Sequence, residues 1–152
     1  MIKLSYRRHH SYTWPLPPWH SNRLSRLIKT PKLHLGDTGL ACALLGVDAA
    51  ALWDDRALYG QLLETFVYQE LRRHASWREE PVTFHHFRDK DGAEVDIVLE
   101  SGGKLAGVEV KAATVTAADA VASFCKGLYA VPLSFSVAVT GESILVPTRV
   151  PV

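Results

Sequence analysis

Two runs dominated by apolar residues, 94–100 and 105–111, carry acids at spaced positions and are separated by Ser101-Gly102-Gly103-Lys104. A glycine-rich spacer between two such runs predicts an antiparallel β-hairpin. Upstream, 82–88 has strand character and is followed by the turn signal Asp89-Lys90-Asp91-Gly92, so three consecutive antiparallel strands are expected to form a meander. The period changes over 57–75. There Leu58, Leu62, Leu63, Phe66, Val67 and Leu71 recur at helical spacing, with Asp54 and Asp55 at the positive end of the helix dipole. The meander is expected to lie against this helix. A short strand over 32–35 and a helix capped by Asp37 or Thr38 and ended by Gly46 precede it. After it, a helix over 114–126 with Thr116 as its cap leads to strand-like pieces broken by Pro132, Gly141 and Pro147. Trp14-Pro15-Leu16-Pro17-Pro18-Trp19 is neither helix nor central strand, because proline lacks the backbone donor, and its tryptophans are expected to cover apolar surface.

With 152 residues, 47% of them hydrophobic, the chain suits one globular domain with a true core. Its net charge of +1 hides an asymmetry. Residues 1–36 hold seven basic residues and no acid, leaving ten basic residues against all sixteen acids, a balance of −6 for the rest. Arg7, Arg8, Arg23, Arg26 and Lys29 of this arm are candidates for contact with DNA phosphates, though the same arm can dock on its own acidic body or on a partner. Cys42 and Cys125 fit no C-x-x-C spacing and read as buried free thiols. The start has no apolar signal region and no apolar run is long enough to span a membrane, so a cytoplasmic location with no membrane partner is expected.

The hairpin concentrates charge. Counting inward from the spacer sets Glu100 opposite Leu105, Asp96 opposite Glu109 and Glu94 opposite Lys111. Opposed residues share a sheet face with Cβ atoms about 5 Å apart, and like charges there are destabilising. Lys111 follows on the same face, about 7 Å along the strand. Two carboxylates and a lysine converging on a sheet surface form a candidate divalent-cation site, or otherwise a charge-balanced patch. On the helical wheel Glu70 falls between Tyr59 and Leu63, inside the apolar arc, and Glu64 falls at its edge beside Leu71. An inward carboxylate needs a partner or a metal; Arg88 is a candidate partner for Glu70. No paired Cys/His spacing suggests zinc, and His85 and His86 alternate faces. No Gly-x-x-x-x-Gly-Lys-Ser/Thr loop is present, so ATP is not bound in that manner.

Gly60 and Glu64 on a helix, then Asp96, then Glu109-Val110-Lys111 resemble the PD-(D/E)XK nuclease-like superfamily. More specifically, Leu16 to Asn22, Thr30 to His34 with Asp37-Thr38-Gly39-Leu40, Glu64 to Leu71 and Arg88 to Lys111 resemble the uncharacterised domain that follows the AAA-type ATPase module in many bacterial and archaeal ATPases. The likeness covers about 16–119. It implies an α/β (α+β) restriction-endonuclease-like core: a central mixed sheet with an antiparallel meander, flanked by helices. It divides the chain into an arm (1–31), a nuclease-like domain (32–133) and an irregular or short-strand tail (134–152).

The resemblance also implies chemistry. Asp96 and Glu109, with the Val110 carbonyl, would hold Mg²⁺; Lys111 would orient or deprotonate the attacking water; Glu64, or Glu70 by the wheel, would complete the shell. The implied role is an accessory or effector module of an AAA-type ATPase that binds DNA or a partner, the alternative being a Mg²⁺-dependent deoxyribonuclease. Departures accompany the likeness. Thr65 stands where the family usually has Asn, and Leu128 to Leu133 arrives early, as if a helix and a core strand were missing. These suggest a truncated, stand-alone copy whose sheet is incomplete on the C-terminal side.

Overall fold

The computed structural model describes residues 12–19, 30–88, 92–112, 135–140 and 144–145, the last two segments as backbone. Arg7, Arg8, Arg23, Arg26, Lys29 and Cys125, with the helix expected over 114–126, lie outside the described residues.

The chain folds as an α+β unit. β1 (Thr13–Leu16) and β2 (Lys32–Leu35) form a two-stranded antiparallel ladder. Pro15 sits on a strand that pairs only with β2 among the described residues, an edge position where proline is tolerated. Beyond β1 the chain runs along β3 (Thr83–Arg88): the His86 N–H donates to the Pro17 carbonyl at 2.9 Å and the Trp19 N–H to the His86 carbonyl at 2.7 Å. Trp19 is buried as expected, whereas Trp14 is 41% exposed and lies under the Arg72 guanidinium.

Three helices follow. Asp37 caps α1 (Thr38–Leu45) by accepting the Leu40 N–H, and Gly46, at φ 66°, ends it in the left-handed conformation. α2 (Ala49–Asp54), capped by Asp48, was not expected from the hydrophobic pattern, since Ala49-Ala50-Ala51-Leu52-Trp53 has no helical period to read. Asp55 caps α3 (Arg56–Ala75) by accepting the Ala57 and Leu58 N–H groups.

The meander is present as β3, β4 (Glu94–Ser101) and β5 (Lys104–Lys111), all antiparallel. Its second turn is tighter than the four-residue spacer suggested. Ser101 pairs with Lys104, leaving Gly102 and Gly103 as a two-residue loop at φ 55° and 74°, a conformation that glycine adopts without strain. β5 also pairs in parallel with β6 (Phe135–Thr140), which pairs with β7 (Ile144–Leu145), giving a mixed five-stranded sheet in sequence order. The segment expected as an irregular or short-strand tail therefore supplies a strand paired with β5 along all six of its residues.

A register shift between His85 and Phe87 interrupts the β3–β4 ladder. Such an irregularity breaks the two-residue alternation. Val95 and Val98, an odd number apart, accordingly join one core cluster with Trp19, Phe87 and Leu105. A second cluster packs Leu16, Val67 and Tyr68 against Ile97, Val108 and Val110, with Leu63, Leu71, Phe84 and Leu99 at its margin. Asp96 lies between these two packing regimes. Among the described residues no helix is long and apolar enough to cross a membrane.

Candidate functional site

Side chains from β2, α3, β4 and β5 converge at one end of the sheet. The β4–β5 ladder runs from Ser101↔Lys104 to Ile97↔Val108. One step further, where Asp96 and Glu109 would be the next pair, the side chain of Asp96 takes over from the backbone: its Oδ2 accepts the Val110 N–H at 2.9 Å. The expected role for Val110 was its carbonyl; the contact that the structure places on Asp96 is its N–H. Lys111 donates to Glu109 Oε1 at 2.5 Å. The Glu109 side chain is only 3% exposed, and its Oε2 is buried with no hydrogen-bond partner among the described residues. Burial, reinforced by the charge of Asp96 and opposed by Lys111, pushes the Glu109 carboxyl up to about 7.

Lys32 comes from the opposite side. In β2 the polar residues point inward: His34 is 5% exposed while Leu33 is 69% exposed. The Lys32 ammonium reaches Glu64 Oε1 at 2.9 Å, Glu94 Oε1 at 3.2 Å and Asp96 Oδ1 at 3.5 Å. Burial alone would lower its pKa, but Glu64, Asp96 and Glu94 outweigh burial and hold the ammonium above the ordinary lysine value. Glu64 is raised by burial and by Asp96, against the pull of Lys32. Lys111 is likewise raised: burial works against its charge, and the hydrogen bond and charge of Glu109 prevail.

A chain of hydrogen bonds fixes the protonation of His34. Thr65 gives its one hydroxyl proton to the Gln61 carbonyl at 2.9 Å, so at 3.1 Å it can only accept from His34 Nδ1–H. His34 Nε2 is then the bare nitrogen. It is buried, has no hydrogen-bond partner among the described residues and lies 3.8 Å from Glu64 Oε1. Burial, then the charge of Lys32 and the neighbouring His86, push this imidazole down to about 4. His86, bonded through Nε2 to the Thr30 carbonyl at 3.0 Å, is lowered mainly by burial.

Asp96, Glu109, Lys111 and Glu64 are thus brought into one neighbourhood, and Glu70 is not. Glu70 pairs with Arg73 one helical turn away, rather than with Arg88, on the outer part of α3. The wheel misplaced it because Phe66, counted as inward, is 48% exposed, while polar Thr65 and Gln69 are buried. Both have partners: Thr65 as above, and Gln69 through its amide to the Leu35 carbonyl at 2.6 Å. The sequence pattern did not single out Lys32 or His34. Their alternation with Leu33 and Leu35 was the available signal, and a hydrophobicity reading orients it the wrong way round.

Among the described residues no three His, Cys, Asp or Glu side chains form a ready-made metal cage. Two carboxylates nevertheless retain an oxygen each: Glu109 Oε2 has no partner, and Asp96 Oδ1 has only the 3.5 Å contact with Lys32. Two carboxylate oxygens plus waters suit Mg²⁺, which dehydrates reluctantly. The residues fit such an ion.

A mixed-sheet α+β domain with an acidic cluster threaded by lysines, at the seam between its long helix and its meander, is the class defined by this fold and site. The chain belongs to the family described as Domain of unknown function (DUF4143), whose model matches residues 59–146, a domain found in AAA-ATPase-associated proteins. A second family model, Domain of unknown function (DUF8612), matches residues 11–51. The cluster draws on both stretches, Lys32 and His34 from one and the remaining residues from the other. The chain is 31% identical over 96 residues to an uncharacterized protein of Mycobacterium bovis and to one of Mycobacterium tuberculosis. These alignments cover 63% of this chain and 21% of either relative, so the chain spans about a fifth of their length. No solved structure gives a significant match.

Proposed function

We propose that this chain is a nuclease-like accessory module of an AAA-type ATPase system, in which Asp96 and Glu109 hold a divalent cation of the Mg²⁺ type against a phosphodiester of DNA. The observation that carries the reading is the Glu109 carboxylate. A carboxylate buried this deeply beside Asp96, with one oxygen left unpartnered among the described residues, is costly as an anion even with Lys111 on its other oxygen; it takes up a proton or is completed by a cation. When bound, such an ion would polarise a phosphoryl oxygen and acidify a coordinated water. Lys111, which donates to Glu109, would orient an attacking water and offset charge developing on the phosphoryl group. Glu64 positions Lys32 and belongs to the supporting shell.

A second reading, a module that binds DNA or its ATPase partner without turnover, is favoured by Lys32, whose ammonium already neutralises part of the cluster. Incubation of supercoiled DNA with the protein and Mg²⁺ or Mn²⁺, beside Asp96→Asn and Lys111→Met, separates the two. Nicking by the wild type that both variants lose supports the nuclease. Salt-sensitive DNA binding without cleavage supports the second reading, and equal nicking by all three removes the first.

A further inference from the structure

A second concave place lies away from the acidic cluster. The β1–β2 ladder and the last turns of α3 enclose a hollow of about 260 Å³, lined by Trp14, Gly36, Gln69, Arg72, Arg73 and Ser76. Arg72 follows Glu64 by eight residues, about 12 Å along the helix axis, so the hollow is distinct from the carboxylate cluster. Among the described residues no acidic side chain lines it, and two guanidinium groups do.

Arg72 is the unusual member. Three cations among the described residues are half-buried: Lys32, Lys111 and Arg72. The two lysines hold carboxylates, whereas among the described residues no carboxylate lies within ion-pair distance of Arg72. Its guanidinium instead lies over the Trp14 ring, 3.9 Å from the centroid, and donates to Tyr68 Oη at 3.2 Å. A guanidinium has five N–H donors, so this one bond spends little of its capacity. Arg73 pairs with Glu70, but the side chains are 56% and 34% exposed and such a pair is weak. The Trp14 indole is itself 41% exposed, and Gly36 lets it lie close: a Cβ there would come within 3.1 Å of Trp14 Nε1.

An exposed indole joined to a guanidinium plane is a stacking surface for a base, and a second arginine beside it supplies counter-charge for a phosphate. The volume is close to the lower limit for ligand sites, about 300 Å³, which suits one nucleotide and excludes a peptide helix. A phosphoserine would use the arginines and leave the indole unused. Trp77, immediately after Ser76 and 80% exposed, offers a further ring. We infer that this hollow binds single-stranded nucleic acid, taking one nucleotide with its base against Trp14 and a flanking phosphate on Arg72 and Arg73. The site does not rest on a cation at Asp96 and Glu109, since no metal takes part. A duplex keeps its bases stacked within and offers the indole none, so the site selects single strands.

Fluorescence anisotropy of a labelled oligothymidylate in EDTA tests this apart from metal binding and turnover. The wild type is expected to bind it more tightly than a duplex of the same length, with an affinity that falls as salt rises. Trp14→Ala and Arg72→Gln should each weaken binding by about five- to a hundred-fold, the range for a lost stacking contact. Trp14→Phe keeps a ring and should retain most of the affinity. Glu70→Gln removes the counter-charge of Arg73 and should tighten binding by about two-fold, a change that a merely structural role for Trp14 and Arg72 would not produce. If Trp14→Ala does not fold, as judged by circular dichroism, the Trp14 indole N–H resonance of the wild type gives the same information by moving on addition of thymidine monophosphate. No binding by the wild type, equal binding of duplex, or unchanged affinity in the folded Trp14→Ala and Arg72→Gln variants overturns the inference. Tighter binding of a phosphopeptide than of the oligothymidylate overturns it in favour of a protein partner. Failure of the cation reading leaves all of these outcomes unchanged, because EDTA is present throughout.

Discussion

Asp96 Oδ2 accepts the Val110 N–H at 2.9 Å, at the point where the β4–β5 backbone ladder stops. The bond replaces a ladder bond with a charge-assisted one and ties the carboxylate to the strand that bears Glu109 and Lys111. The same residue thus ends the sheet pairing and fixes the acidic cluster. Its other oxygen stays turned toward Lys32.

Removing the acceptor should be felt in stability. Asp96→Ala leaves a buried N–H unpaired, which costs about 1–3 kcal/mol, partly offset by relief of the repulsion with Glu109. Asp96→Asn retains an acceptor oxygen and is expected to cost less. Urea unfolding of the two variants without metal checks the order. A fully stable alanine variant counts against the bond. Both changes should also bring the Glu109 carboxyl down, since the Asp96 charge helps to raise it.

Thr65 links α3 to β2 through His34. Thr65→Val keeps the shape but strands the buried His34 Nδ1–H, for an expected loss of about 1–3 kcal/mol. Thr65→Ser should restore most of it. Nitrogen chemical shifts of the ring should show a neutral imidazole protonated on Nδ1 in the wild type. A proton found on Nε2 would contradict the direction assigned to the hydrogen bonds.

Two buried groups give stability opposite dependences on pH. Glu109 titrates near 7 when folded and near 4.5 when unfolded, so between these values the folded chain holds a proton that the unfolded chain has released, and stability falls as pH rises. His34 titrates near 4 when folded and near 6.5 when unfolded, so its contribution is lost as pH falls through that window. Glu109→Gln removes the first effect. Without metal, its stability relative to wild type should improve by about 2–3 kcal/mol from pH 4.5 to 7.5. His34→Phe removes the second, and its relative stability should improve on acidification. Chemical denaturation across this range measures both; a pH-independent difference for either variant refutes its assignment.

Much of this geometry was legible from residue order. The glycines at 102 and 103 set the hairpin register, and the register set Asp96 one step past Ile97, the last paired residue of β4, and Glu109 one step past its partner Val108. The caps at Asp37 and Gly46 were equally plain. The rest depended on contacts remote in sequence. Lys32 meets Glu64 and Asp96 across separations of 32 and 64 residues, which no local pattern encodes. α3 was misread for a related reason: its buried face includes Thr65 and Gln69, whose polarity is satisfied by β2 and by α3's own backbone, so hydrophobicity pointed elsewhere.

The two glutamates of α3 provide the sharpest comparison. Glu64 holds Lys32 at 2.9 Å and is 20% exposed in its side chain, whereas Glu70 is bound to Arg73 and is 34% exposed. An exposed pair one turn apart contributes about 0.3–0.5 kcal/mol, so Glu70→Gln should leave stability and Mn²⁺ binding near wild type. Glu64→Gln removes the nearest counter-charge of a half-buried ammonium and should lower the Lys32 pKa. Lysine side-chain NMR through a pH titration reads that shift. The Lys32 resonance should move in Glu64→Gln and stay in place in Glu70→Gln; a shift of equal size in both variants would show that α3 presents its other face to the cluster.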